Sequence, residues 1–441
     1  GTGEVGYKDG SLTSALFNQP NAIMFLENGD MLVSDRKNFV IRKISNGIVT
    51  TFAGKGEVSG FVDGIGIRAR FNDPYAMTLG KNNEIYLADF NNHAIRKIKA
   101  IVTPQVLKVP SEYSTIQAAI DATNESDTVL VADGTYTENL NISKDIKIIS
   151  ENGAEKTIID GGKITHVIGF GSSTTRDCLL EGFTVTNGGN ANGDSDDGAG
   201  GINVWGGSPT LRNLIIKGNR RDKWSGGGIH VNENGNPLVE GCTIKENYAE
   251  DGGGSIDAYR ASIEINNSTI ENNTSGYGQS LRFHTDDAVN FKPIVKINNV
   301  TIKNHSDANA SGDLLDFSGC SLSVNNLTLQ DINVKEGLVG LYNSKGMISG
   351  LTIERDTSAA NFIEIHGSEI DFNNLTISQS KTNDGNGLYI TGNAVVKIDT
   401  LDIKDSYWGC SGNCYGGTGE SISVRNADFT LDNGKFSNIY A

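Results

Sequence analysis

The sequence predicts an all-β chain that changes architecture partway. Short antiparallel strands come first, and a long coil of parallel strands follows. Three observations predict this. A unit beginning Phe-Asn-x-Pro occurs twice near the start, and a phrase of the type Asn-Asn-Leu-Thr-Ile returns through the rest of the chain. Between these phrases lie short apolar–x–apolar runs rather than the spacing of an amphipathic helix.

The doubled unit reads FNQPNAIMFLENGDMLVSDRKNFVIRKI from Phe17 and FNDPYAMTLGKNNEIYLADFNNHAIRKI from Phe71. Pro20 matches Pro74, Asp35 matches Asp89, and Arg42 matches Arg96. Apolar and polar residues alternate in short runs split by Asn-Gly or Asn-Asn turns. That pattern predicts about four antiparallel strands per unit, as in a propeller blade. The stretch Asp63–Ile98 resembles an NHL-type propeller repeat. It has the Gly-rich lead-in, the Phe-x-x-Pro start, the Ala-Asp pair and the Asn-His-x-Ile-Arg-Lys ending. The first copy departs from the pattern at Ser34 and at Asn38–Phe39. The resemblance implies that residues 1–100 are the C-terminal blades of an incomplete NHL-like β-propeller. Asp35, Asp89, Arg42 and Arg96 are expected to pin blade turns. Residues 101–110 read as a linker.

The second region, residues 111–441, is built on the recurring phrase. Its last apolar residue is in turn Val185, Ile216, Ile244, Ile270, Ile302, Leu329, Ile353, Ile377, Ile403 and Phe436. Three positions earlier stand Gly182, Asn213, Gly241, Asn267, Asn299, Asn326, Gly350, Asn374, Thr400 and Asn433. Apart from Thr400 the column is Asn or Gly, the residues that enter the left-handed region at least cost. The phrase therefore predicts one sharp corner per coil, followed by an inward apolar residue. Asn side chains stacked at such corners are expected to hydrogen-bond along the stack. A second column carries the runs INVW, IHVN, IDAY, LRFH, LYIT and ISVR. Two strand columns at this repeat length, with no helical pattern between them, predict a parallel β-helix.

The segment from Ile116 opens with a short amphipathic helix, expected to cap the coil stack, and then gives strands. With Gly134–Thr135–Tyr136 and Glu138 in a GTY-x-E turn, it resembles the start of pectin-esterase and pectate-lyase-type right-handed β-helices. The resemblance implies that fold for about residues 105–441. It does not imply the chemistry. The paired Asp strand and Arg-Pro-Trp motif of the esterases are absent. So are the Asn-Thr-Asp, Asp-Asp, Gly-His-Gly and Arg-x-Lys set of polygalacturonases and the Trp-x-Asp-His and Arg-x-Pro-x-x-Arg strands of the lyases.

One constellation stands apart from those motifs. In the second column the residues between inward apolar ones point outward. They are Asn203, His230, Asp257 and Arg282, with Trp205, Asn232, Tyr259 and His284 beside them. Coils about 4.8 Å apart bring a base, an acid and a cation together, flanked by aromatic faces. His230, Asp257 and Arg282 are thus candidate catalytic residues. Asn203, Trp205, Asn232, Tyr259 and His284 are candidate ligand contacts. The column's continuation through DLLDFSGC and LVGLYNSK reads as low in charge, which would bound the patch. Asp194, Asp196 and Asp197, in the Gly-rich loop 187–201, offer oxygen ligands suited to calcium, or form a plain acidic loop.

Composition narrows the partners. The net charge of −16 over 441 residues counts against a nucleic-acid ligand. No run of 18 apolar residues predicts a membrane span. The 54 glycines and only 7 prolines suit repeated tight turns. Cys410 and Cys414 are either a small disulfide loop or two free thiols. The chain opens mid-repeat and ends without an obvious cap, so a piece of a longer bacterial extracellular or cell-surface protein is expected. The leading expectation is non-catalytic binding of glycan or a protein partner. The alternatives are a polysaccharide lyase or hydrolase acting on an acidic polysaccharide at the outward patch, and a structural rod or secretion cargo.

Overall fold

The computed structural model describes residues 1–26, 28–64, 66–80, 84–99, 104–189, 200–277, 279–286, 292–307, 312–358, 360–382, 385–408 and 422–440. The chain forms two compact units, Gly1–Thr103 and Pro104–Ala441.

The first unit holds two antiparallel sheets. One is 5-stranded and runs Gly10–Ser11, Ile48–Ala53, Val40–Ser45, Met31–Asp35, Pro20–Phe25. The other is 3-stranded, with Pro74–Leu79, Glu84–Asp89 and Ala94–Lys99. The doubled sequence makes a doubled local structure. Asp35 Oδ1 accepts from the Asn18 amide at 2.7 Å, and Asp89 Oδ1 accepts from the Asn72 amide at 2.7 Å. Arg42 pairs with Asp35 at 2.9 Å, and Arg96 with Asp89 at 3.0 Å. Both pairs are buried, and each carboxylate receives several further donors, as a buried charge requires.

The second unit is a parallel β-solenoid of right-handed type with about 11 turns. Its long strands Ile294–Lys303, Ser321–Gln330, Lys345–Glu354 and Glu369–Ser378 stack without slippage: Asn298 faces Asn325, Ser349 and Asn373 in successive coils. An 11-stranded parallel sheet forms a second face, from Leu140–Ile142 to Ile422–Val424. A short third sheet joins Arg220–Arg221, Tyr248–Ala249 and Thr274–Ser275. The inward apolar residues make one continuous core, in which Phe283 and Phe317 stack at 5.3 Å between adjacent coils.

The corners are left-handed where the Asn/Gly column places them. Asn213, Asn267, Asn299, Asn326 and Asn374 have φ of 52°, 51°, 54°, 55° and 60°. Gly182, Gly241 and Gly350 share the region. Thr400 and Asn433 do not adopt it. Side-chain amides link the corners: Asn299 Nδ2 donates to Asn267 Oδ1 at 3.1 Å, and Asn326 Nδ2 to Asn299 Oδ1 at 2.9 Å. Ile302, Leu329, Ile353 and Ile377 are buried as expected. Phe436 is 49% exposed, because its strand Asp428–Tyr440 pairs with Val395–Trp408 and the core does not close around it.

A helix at Ile116–Ala122 buries Ile116, Ala119 and Ile120 in the solenoid core. Glu138 of the GTY-x-E turn accepts the amides of Ile116 and Gln117, each at 2.9 Å. It thereby satisfies two free N–H groups of the first helical turn. The strand Val106–Val109 lies in the stretch read as linker. Its Leu107 and Val109 alternate into the core, and it pairs in parallel with Thr128–Val131.

Candidate functional site

Four consecutive strands of the 11-stranded sheet build the floor of a cleft: Ile202–Trp205, Ile229–Asn232, Ile256–Tyr259 and Leu281–His284. Their register aligns Asn203 with His230, His230 with Asp257, and Asp257 with Arg282. In the neighbouring column Trp205 faces Asn232, and Tyr259 faces His284. The inward partners are buried: Ile229, Val231, Ile256, Ala258, Leu281 and Phe283. Apolar alternation thus drives the polar and aromatic set onto one flank.

The cleft has a volume of about 500 Å³ and is lined by Trp205, Arg221, Trp224, Ser225, His230, Asn232, Asp251, Asp257, Tyr259, Arg282 and His284. Seven of the eight residues expected on the outward patch line it. Asn203, the eighth, is buried and outside the lining. The spacing did not reveal Arg221, Trp224, Ser225 and Asp251. Arg221 belongs to the short third sheet, and Trp224, Ser225 and Asp251 sit on loops beside the floor strands. Asp251 donates its amide to the Trp224 carbonyl at 3.4 Å, and Gly226 donates to Gly252 at 3.1 Å, so successive lips stack like the coils below them. Glycines permit this placement. Gly226 and Gly253 have φ of 82° and 58°, and a Cβ on either would approach the Cβ of His230 or Asp257 to 2.7 or 2.6 Å. The triplets Gly226–Gly228 and Gly252–Gly254 just ahead of two floor strands were the available signal.

Asp257 is the electrostatic centre. Its carboxylate is 1% exposed, with His230 Nδ1 at 3.0 Å from Oδ2 and His284 Nε2 at 3.3 Å from Oδ1. Burial alone would raise its pKa. The two imidazoles overcome burial and hold the carboxyl well below the usual range. His230 Nδ1, His284 Nε2 and Asp257 Oδ1 are buried without well-directed hydrogen bonds, so these are close polar contacts with room to tighten. The rings meet different oxygens and flank the carboxylate. Among the described residues, no three His, Cys, Asp or Glu side chains converge as metal ligands. His230 Nε2 lies 3.5 Å from Asn232 Nδ2.

Arg282 does not complete an ion pair with Asp257 among the described residues. Its Nη1 donates to Ser225 Oγ at 3.2 Å, across the cleft toward the lip. Burial raises the pKa of Asp251, the lip carboxyl, while Arg282 and Arg221 draw it down less strongly. Trp205 and Trp224 are 53% and 51% exposed, and the Tyr259 ring lies tilted by 37° against His284 with centroids 5.0 Å apart.

The flank is not bounded by uncharged coils. Asp316 follows Arg282 in register, and Glu364 comes two coils later. Asp313 accepts from the Tyr342 hydroxyl at 2.6 Å, and burial pushes it up to about 6. The run looked neutral because its carboxylates lie among apolar neighbours. Asp194, Asp196 and Asp197, and with them the calcium expectation, lie outside the described residues, as do Cys410 and Cys414.

No protein-family model matches the chain, and no curated protein matches it. Among solved structures, part of the chain is similar to an auxiliary nutrient binding protein from Bacteroides ovatus. The identity is 33% over 22% of this chain and 26% of that one, with a TM-score of 0.21. The chain thus spans about a quarter of that protein. A GH87 α-1,3-glucanase catalytic unit from Streptomyces thermodiastaticus is 12% identical over 79% of this chain and 73% of its own, with a TM-score of 0.35. The Streptococcus pneumoniae surface protein and adhesin PfbA is 14% identical over 74% and 95%, with a TM-score of 0.31. At these TM-scores the likenesses say nothing about activity.

Proposed function

We propose that the second unit is a bacterial extracellular or cell-surface module that binds a polysaccharide in this cleft. The cleft itself carries the reading. It sets two exposed indoles and a tyrosine beside two guanidiniums and several short polar groups on one rigid flank. Sugar rings present C–H faces that pack on aromatic surfaces and hydroxyl edges that hydrogen-bond to side chains such as Asn232 and Ser225. Arg221 and Arg282 favour a glycan bearing carboxylates or sulfates. The doubled sheets of the first unit fit the end of an NHL-like propeller, which would present the solenoid. A protein ligand in the same cleft is the alternative partner.

Calorimetric titration with oligosaccharides chosen from a glycan array tests this. Trp205→Ala and Trp224→Ala should each weaken binding by about tenfold or more, the scale of a binding hot spot. Lys345→Ala, on an exposed side chain outside the cleft lining, should leave affinity unchanged. Absence of binding to every glycan, or binding indifferent to both tryptophans, rejects the proposal. The close His230–Asp257 contact favours a second reading, in which the bound chain is also cleaved.

A further inference from the structure

We infer that His230, Asp257 and His284 are a proton-operated switch on this cleft: protonation of the two imidazoles turns acidic-glycan binding on, and their deprotonation turns it off. The inference rests on the binding reading and assigns its regulation.

The switch follows from one carboxylate shared by two rings. Three consecutive strands bring the groups together, with Asp257 in register between His230 and Arg282. His230 Nδ1 lies 3.0 Å from Oδ2, and His284 Nε2 lies 3.3 Å from Oδ1. A buried carboxylate needs a cation. Arg282 turns to Ser225 at 3.2 Å, which leaves that task to the imidazoles. Both rings line the cleft and are 17% and 20% exposed, against 1% for the carboxylate. Solvent protons therefore reach the rings rather than the acid.

Each ring turns one nitrogen to Asp257 and the other away. The near nitrogen can keep its N–H on the carboxylate in either charge state, and the far nitrogen is where a proton arrives and leaves. At His230 the far nitrogen, Nε2, lies 3.5 Å from Asn232 Nδ2. Asn232 Oδ1 is buried without a partner. Turning that amide over presents Oδ1 to a protonated Nε2, so Asn232 serves both states. One proton on either ring neutralises Asp257, and a second makes the triple positive. Its charge is thus negative, then neutral, then positive as pH falls, and the two steps are coupled through the shared acid.

The surroundings fix the direction of the response. His230 faces Asn203 on the strand before it, which does not titrate. His284 lies between Tyr259 and Ser318. The Tyr259 hydroxyl donates to Asp286 at 2.8 Å, and Arg260 pairs with the same carboxylate at 2.6 Å. Arg221 and Arg282 keep their charge at every working pH. Asp251, with Glu250 beside it in sequence, and Asp316 are the facing carboxyls, and burial raises both Asp251 and Asp316. Their protonation adds positive charge in the same direction as that of the rings, so nothing in the cleft opposes the switch. Uronate carboxylates and sulfates stay ionised above about pH 5. An acidic glycan held by the arginines therefore lies against a triple that attracts it at the acid end and repels it at the basic end. An ordinary imidazole changes charge near about pH 6.5, which places the response between about pH 5.5 and 8. Affinity is full below that span and is lost as pH rises through it.

The test titrates chondroitin sulfate, alginate and oligogalacturonate fragments into the full chain by calorimetry at about pH 5.5, 6.5 and 8. Two buffers of different ionisation enthalpy count the protons taken up on binding. Wild type should bind a fragment about tenfold or more tighter at the acid end, with net proton uptake at the middle pH. The carboxyl-reduced or desulfated counterpart should bind without that dependence. His230→Gln/His284→Gln keeps donors toward Asp257 but accepts no proton. It should keep its melting temperature and lose most of the pH dependence and proton uptake. If the double variant melts early, His284→Gln alone decides, by losing part of the uptake. Asp257→Asn should move the midpoint of the response to lower pH, because the imidazolium loses its anion; a purely structural role would leave the midpoint in place. Equal affinity at all three pH values, or wild-type proton uptake in the His→Gln variants, overturns the inference and leaves a binding cleft. Absence of binding by every fragment at every pH rejects the binding reading as well.

Discussion

Two stretches of the solenoid share one core and differ in what they carry. In the cleft-bearing coils, ten positions lead from Asn219 at the inner corner to Ile229 at the next strand, and nine from Asn247 to Ile256. In the narrow coils seven positions suffice, from Ile332 to Val339 and from Asp356 to Ile363. The narrow coils repeat every 24 residues at this corner, against 28 and 26 in the cleft. The core needs only the shorter repeat. Two or three extra residues per coil, over glycines that let the backbone fold back, raise a lip that holds Trp224 and Asp251 beside the neighbouring strands. Function here is an addition to the coil.

Removing that addition should have the largest effect. Deleting Asp222–Trp224 brings the first cleft coil to the narrow length. Binding should be lost while the melting temperature moves by only a few degrees, since the deleted residues lie outside the core. Collapse of the fold would show instead that the lip supports the coil.

The inner corner sharpens the comparison. Each coil's backbone N–H there donates to a side chain of the next coil. Asn219 donates to Asn247 Oδ1, Asn247 to Asn273 Oδ1, Ile332 to Asp356 Oδ1, and Asp356 to Ser380 Oγ. In the cleft coils the Asn amides also donate backward, from Asn219 to the Val185 carbonyl and from Asn247 to that of Ile216. Asp356 occupies the same place with no amide hydrogen to give. Its Oδ2 is buried without a partner, and burial raises the carboxyl to about 7. The folded form therefore prefers the protonated acid. Its stabilising effect is full below the unfolded-state pKa of about 3.9 and is lost as pH rises through about 7. Asp356→Asn should supply the missing donor. Thermal melts should show it more stable than wild type by about 1–3 kcal/mol at pH 8, with the gain shrinking toward zero near pH 4. A gain that does not depend on pH would mean the carboxyl is not the cause.

The outer corner should give the smallest effect. Asn326 sits at φ 55° and donates to Asn299 at 2.9 Å. Asn326→Val should cost about 1–2 kcal/mol, because a β-branched residue resists that region. Asn326→Gly should cost less than Asn326→Val, since glycine fits the corner and only the side-chain link is lost. Equal costs would place the energy in the amide ladder rather than in the backbone.

Much of this was legible in the sequence. Strand alternation has a period of two, so the outward positions of His230, Asp257 and Arg282 follow once the inward apolar residues are aligned. The corner column followed from the conformational freedom of Asn and Gly. The diagonal contact of His284 on Asp257 was not legible from column order alone, because neighbouring columns on adjacent strands also meet. The lip residues were hidden for a different reason. A loop has no period, and only the glycine triplets marked where the chain folds back beside the floor. Asp316 and Asp313 were missed because a carboxylate among Leu and Phe reads as part of an apolar run until the register places it beside Arg282.

The chain's own tryptophans offer the most direct measurement. There are three, Trp205, Trp224 and Trp408, and the first two line the cleft. Intrinsic fluorescence should be followed while an acidic oligosaccharide is titrated into wild type, Trp408→Phe and the Trp205→Phe/Trp224→Phe double variant. A carbohydrate site in the cleft predicts a saturable change that survives in Trp408→Phe and disappears in the double variant. A change that disappears with Trp408, or an affinity untouched by loss of both cleft indoles, would contradict it.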